Sequence, residues 1–234
     1  MQYRIIGSGA YPMVEINMHA GEDLRIQPGA MAYHSDGIEL SAGLNSGKGG
    51  LGGLLSAVAR SVVSNESMLI THAIADDNGI LGLTPNAPGA IQELTLGPDE
   101  QYYINDGAFF VMDRTVDYTI TRQKLSNTFF GNTGGWFIME TRGVGSMLIT
   151  AFGDLIKIPI RSDNGPFTID NSNVVAWSTS LDYRPRINKF GQRFLTGEGI
   201  TLDFVGDGYV YLQTRTVADL ANQIIPFIPT SNNS

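Results

Sequence analysis

Short apolar runs broken by turn-forming residues fill most of the chain, and they return in related groups. Leu24–Tyr33, Tyr102–Val111 and Phe167–Ala176 each read as strand, turn, strand, with Pro28-Gly29, Asp106-Gly107 and Asn171-Ser172 at the bends. These residues pre-set φ or tolerate a left-handed backbone, as a sharp reversal between two extended segments demands. A second element closes each group: Asn78–Leu83, Val144–Ile149 and Asp207–Leu212 place a glycine at a tight bend ahead of a short apolar strand. The interval from opening turn to closing glycine is roughly 40 to 50 residues and is longest in the first group.

Further strands are predicted at Val116–Thr121, Trp136–Thr141, Leu181–Ile187 and Ile200–Phe204. Trp136–Glu140 is nearly all apolar, the mark of a strand covered on both faces, whereas Thr201–Val205 alternates like a half-exposed one. A unit of this size cannot bury a sheet face alone, so three are expected to pack about a common core. The pattern therefore predicts an all-β fold. It is a single domain over 1–216, made of three repeats at about 1–96, 97–160 and 161–216 with pseudo-threefold character, followed by a C-terminal amphipathic helix and tail over 217–229.

Two segments depart from the strand pattern. After a glycine cluster, Leu54, Ala57, Val58 and Val62 have helical spacing, predicting a short helix or a flap. Near the C-terminus, Leu220, Ala221, Ile224 and Ile225 share one helical face, with Pro226 and Pro229 to stop the helix. Leu51, Leu54, Leu55, Val58, Val62, Leu220, Ile224 and Ile225 are thus apolar positions on elements outside the expected core, and they form the candidate interaction surface. Its expected occupants are another subunit, a different protein or the surface of a membrane; the single Arg60 in the flap offers little attraction to anionic lipid.

Composition sharpens this. Of 234 residues 42% are hydrophobic and only 16% charged, a low charge fraction that points to surface covered by other subunits. The net charge is −8, and the basic residues are scattered apart from a loose group at Arg184, Arg186, Lys189 and Arg193, which decorates a hairpin. A phosphate backbone is held by clustered Lys and Arg, so the charge disfavours nucleic acid as a partner. With no cysteine, thiolate nucleophiles, disulfides and thiolate metal sites are excluded. The N-terminal residues carry no signal-peptide pattern and no run is long enough to span a bilayer, which makes the cytoplasm the expected location.

Catalytic patterns are weak throughout, and no cofactor is implied. Gly47–Gly52 matches G-x-G-x-x-G, but it lacks the strand before it and the long helix after it that aim a dipole at a pyrophosphate. The segment fits a hairpin tip. His19, His34 and His72 show no metal-ligand spacing, although His34 or His72 could meet a carboxylate in space. Gly7-Ser8-Gly9 and Gly145-Ser146 lack the context of a nucleophile elbow, and Asp76-Asp77-Asn78-Gly79 is a polar turn rather than an acid/base pair. The aromatic residues sit in apolar strands, where packing accounts for them better than base stacking. A small-molecule or enzymatic site in a barrel mouth or between subunits stays open as the alternative.

Several stretches resemble a known family: the opening Tyr3–Gly7, the turn Ile26–Met31, the glycine-rich Gly49–Leu54 and the closing Tyr211–Arg215 are similar to the AIM24 family over nearly the whole chain. The resemblance implies a TRAP-like body, a β-barrel or β-prism of three related sheets, assembled as a homo-oligomer for which a trimer is one fitting size. It implies no catalytic residues and no cofactor. Mitochondrial members are associated with inner-membrane organisation. The reduced glycine loop Gly131–Gly135 departs from the family pattern. The RNA site of TRAP, a ring of basic residues, does not transfer with the fold.

Overall fold

A computed structural model describes residues 1–7, 9–43, 70–105, 107–123, 136–187 and 200–228. The strands they contain are β1 (Gln2–Ile6), β2 (Met13–Met18), β3 (Asp23–Ile26), β4 (Met31–His34), β5 (Ile38–Gly43), β6 (Ile70–Ala75), β7 (Gly79–Leu83), β8 (Ile91–Leu96), β9 (Tyr102–Asn105) and β10 (Phe109–Asp113). The remainder are β11 (Val116–Gln123), β12 (Trp136–Gly143), β13 (Gly145–Thr150), β14 (Leu155–Ile160), β15 (Phe167–Asp170), β16 (Val174–Ser178), β17 (Asp182–Ile187), β18 (Ile200–Val205) and β19 (Gly208–Gln213). The helix α1 (Val217–Ile224) follows, continued by a 3₁₀ turn over Ile225–Phe227. The chain is nearly all β, as the apolar runs predict, and every predicted strand-turn-strand group is present.

The turns form for the expected reasons. Gly29 and Gly107 sit at φ +79° and +80°, which a side chain would resist. The third bend has no glycine and is a 3₁₀ turn at Asn171–Asn173, fixed by the Asp170 carboxylate accepting from the Ser172 amide at 2.8 Å.

Among the described residues all strand pairs are antiparallel and fall into four sheets, ordered β1-β2-β7-β4, β5-β6-β3-β10-β13-β8, β11-β12-β9-β16-β19-β14 and β15-β18-β17. Adding six to every strand number of the first six-stranded sheet gives the second in the same order. In each, three strands of one stretch of chain join three of the next at one seam, β3 on β10 and β9 on β16. The expected barrel does not form. Among the described residues each sheet ends in strands paired on one side only, such as β5 and β8 or β11 and β14, so no sheet closes on itself.

The interior is also divided where one common core was expected. Three clusters of buried apolar side chains lie between successive sheets. Phe110, Val111 and Leu148 join Val14, Leu24 and Leu81 in one, while Phe109, Met112 and Met147, on the same two strands, belong to the next. Adjacent Phe110 and Val111 face the same side because the β10–β13 register shifts between Phe109 and Val111, a bulge. The same shift occurs in β4–β7 between Met31 and Tyr33 and in β16–β19 between Val174 and Ala176.

Strand β12 has the two-sided burial its composition predicts, with Ile138 in one cluster and Met139 in another. Strand β18 does not follow its alternation: Ile200 through Phe204 are all buried. Its polar members are satisfied instead of solvated. Asp203 accepts from the Thr168 hydroxyl at 2.7 Å and pairs with Arg186, so a carboxylate is tolerated at 4% exposure in a strand flanked on both sides.

Candidate interaction surface

Helix α1 starts at Thr216, whose hydroxyl oxygen accepts from the Asp219 amide at 3.0 Å while its proton goes to the Asp219 carboxylate at 2.7 Å. This N-cap satisfies an otherwise orphaned amide, and Asp219 in the first turn opposes the helix dipole favourably. Beyond Thr216 nothing in the helix is buried. Val217, Leu220, Ile224 and Ile225 repeat at helical spacing and are all exposed, with Phe227 and Ile228 exposed after them. The helix therefore ends at Ile224, as predicted to within two residues, but its apolar face meets solvent in the single chain. Of the predicted surface, Leu220, Ile224 and Ile225 stand together on this face. Leu51, Leu54, Leu55, Val58 and Val62 lie outside the described residues, as do Gly47–Gly52, Ser8, Lys189 and Arg193.

A groove of about 280 Å³ opens beside the first residue of α1. It is lined by Asn105, Thr150, Phe152, Asn171, Gln213 and Val217 among others, none of them charged. Two of its four side-chain amides hold the backbone: Asn105 Nδ2 donates to the Val174 carbonyl at 2.8 Å, and Gln213 accepts from the Phe152 amide at 3.0 Å and donates to the Ser172 carbonyl at 2.8 Å, while Asn171 Oδ1 is buried without a hydrogen-bond partner. The groove is thus built largely by turn-fixing contacts, its lining carries no ionisable side chain, and its Ser172 hydroxyl donates to the Asp170 carboxylate.

The predicted chemical candidates disperse. Among the described residues no three His, Cys, Asp or Glu side chains gather as metal ligands. His72 meets Asp23 at 3.1 Å, but Arg114 shares that carboxylate at 3.3 Å, and His34 bonds the carbonyl of Ser35. Ser146 donates to Glu93 at 2.6 Å, and Glu93 also accepts from Tyr3 at 2.9 Å. Burial, reinforced by that carboxylate, pushes the Tyr3 hydroxyl up to about 12, so it stays a donor across ordinary pH. Asp76 and Asp77 form the predicted turn, their amides directed at the Gly37 carbonyl. Trp177, Tyr102, Phe109 and Phe110 are fully buried, which assigns these rings to packing.

A second surface escaped the sequence reading. On the outer side of the first sheet, Tyr33 of β4 donates to Glu15 at 2.6 Å, and Arg4 reaches the same carboxylate at 2.5 Å. All four residues of β4 are exposed, whereas Phe109–Met112 of β10 and Val174–Trp177 of β16 are buried throughout. Periodicity alone does not reveal this; the available signal is composition, since Met-Ala-Tyr-His in β4 is less apolar than Phe-Phe-Val-Met in β10 or Val-Val-Ala-Trp in β16.

The family model described as mitochondrial biogenesis AIM24 matches residues 3–215. The chain belongs to the AIM24 family. Over 234 residues it is 42% identical to a protein of Streptococcus pyogenes serotype M6 described as uncharacterised, covering 100% of this chain and 93% of that one. The crystal structure of another Streptococcus pyogenes protein is similar with a TM-score of 0.80 at 38% identity, over 97% of this chain and 99% of that one. The AIM24 match runs from within β1 to just past β19 and stops before α1, whereas the serotype M6 relative aligns over the whole chain, α1 included. Among the described residues no helix is long and apolar enough to cross a membrane.

Proposed function

We propose that this AIM24-family chain is a non-catalytic scaffold that works in the cytoplasm as a homo-oligomer and uses the apolar face of α1 as a contact surface. Strands β2–β7, β8–β13 and β14–β19 are its three repeats, divided before β8 and β14 instead of after residues 96 and 160 as expected, and set with pseudo-threefold character in a TRAP-like body. The observation that carries the reading is an apolar helical stripe with no buried member: Val217, Leu220, Ile224 and Ile225 are 42–65% exposed in the single chain. Contiguous apolar surface of this kind is covered in a working assembly. A protein surface fits better than lipid, since Asp219 is the only charged residue of α1 and no basic residue is present to meet an anionic headgroup.

The mass in solution tests this. Light scattering of the full chain should give a multiple of 25.3 kDa, and Leu220→Asp/Ile224→Asp should lower it. A parent that stays monomeric at all concentrations, or that floats with neutral liposomes, overturns the reading.

A further inference from the structure

The two seams that join successive repeats leave a third one open. In the first, β3 runs beside β10 with Ile26 opposite Val111, Arg25 opposite Met112 and Leu24 opposite Asp113. In the second, β9 runs beside β16 with Ile104 opposite Ala176, Tyr103 opposite Trp177 and Tyr102 opposite Ser178. These are the same positions of the repeated unit. Strand β15 corresponds to β3 and β9 but pairs only with β18, and β4 corresponds to β10 and β16 but pairs only with β7. One chain thus ends in half a sheet at each extremity, β15-β18-β17 at one and β4-β7-β2-β1 at the other.

Side-chain exposure marks the same gap. Phe167 of β15 is 44% exposed, while its counterparts Leu24 and Tyr102 are 1% and 2% exposed. Met31 and Tyr33 of β4 are exposed as well, where Phe109, Val111, Val174 and Ala176 are buried. The cores agree. The first cluster is completed by Phe110, Val111 and Leu148 of the following repeat, and the second by Val175, Ala176 and Tyr211 of the one after it. Among the described residues the third cluster receives nothing from a following repeat.

We infer that copies of this chain join head to tail, with β15 of one pairing antiparallel with β4 of the next, so that a six-stranded seam like the two within the chain forms between subunits. The inference rests on the oligomer proposed above and names its main interface. The seam places Ile169 opposite Tyr33, Thr168 opposite His34 and Phe167 opposite Ser35 of the second copy. It covers Phe167 and Tyr33, and gives the third cluster the two strands that complete the other two. An exposed strand edge is a template for such pairing, and a contact between two different surfaces of one subunit repeats into a ring or a filament.

A complementation experiment on the full chain tests this. Phe167→Asp spoils the β15 edge and Met31→Asp the β4 edge. Each variant alone should run at the monomer mass, and an equimolar mixture should give a dimer and nothing larger, since only one intact edge of each kind remains. Phe167→Lys and Ala32→Lys, at exposed positions, repeat the test should either aspartate variant fail to fold by circular dichroism. Variants that keep the parent's mass overturn the seam while leaving the oligomer to the α1 face. A monomeric parent overturns both, and a mixture that stays monomeric overturns the head-to-tail arrangement.

Discussion

The ring of Tyr33 lies across Gly82 so closely that a Cβ at position 82 would stand 2.5 Å from it. The two residues are cross-strand partners in β4 and β7, and the equivalent pairs are Val111 with Leu148 and Ala176 with Tyr211. In those two pairs the bulk sits on the later strand, whereas here it sits on the earlier one. Gly82→Ala should therefore cost about 1–3 kcal/mol, because the ring must leave its place and with it the hydrogen bond to Glu15. Urea denaturation should show that loss nearly abolished in a Tyr33→Ala background. Additive effects of the two changes would mean that the glycine serves the backbone and not the ring.

Gly89 makes a tighter demand. It forms a parallel bridge with Gly153, where the links between successive repeats run side by side. A Cβ there would stand 1.9 Å from the Ala151 carbonyl oxygen and 2.6 Å from the Gly153 backbone. Neither neighbour is a side chain that can swing away. Gly89→Ala should destabilise by more than about 3 kcal/mol, well above a typical surface substitution. Gly97→Ala, with nothing within 4 Å of the added atom, is the matched control. Thermal melts that fail to separate the two variants would reject the close approach.

The strands and their grouping were legible because each unit states its own turns: Pro28-Gly29, Asp106-Gly107 and Asn171-Ser172 are local signals that act through local backbone geometry. What those signals cannot carry is the partner of an edge. Phe167 and Tyr102 read alike in sequence, yet one lies at the rim of an open sheet and the other beneath Tyr211, their ring centroids 6.0 Å apart. The divided interior was missed for the same reason. A bulge that turns Phe110 and Val111 to one side breaks the two-residue period on which a reading of faces depends. In β18 the alternation was real but misleading, since Asp203 is polar and buried, and only the long-range contacts with Thr168 and Arg186 make that tolerable. For the candidate interaction surface, α1 was legible from Leu220, Ile224 and Ile225, while the Tyr33 edge showed only as a less apolar strand.

Glu15 should give the chain part of its acid sensitivity. The Tyr33 hydroxyl and then the Arg4 guanidinium hold its carboxyl below the ordinary glutamate value, so around that value the unfolded chain binds more protons than the folded one. The stabilisation is fully present above the unfolded value of about 4.5 and is lost as pH falls through the lowered folded value. Glu15→Gln has no such titration. Its stability should run flatter than the parent's below about pH 5 and approach it at the acid end. Tyr33→Phe, which removes the largest contribution, should flatten the profile more than Arg4→Met does. Urea midpoints measured from pH 3 to 7 decide the matter. Parallel profiles for parent and Glu15→Gln would place the acid sensitivity elsewhere, first at Asp207, whose carboxyl is lowered by its hydrogen bonds with Ser162.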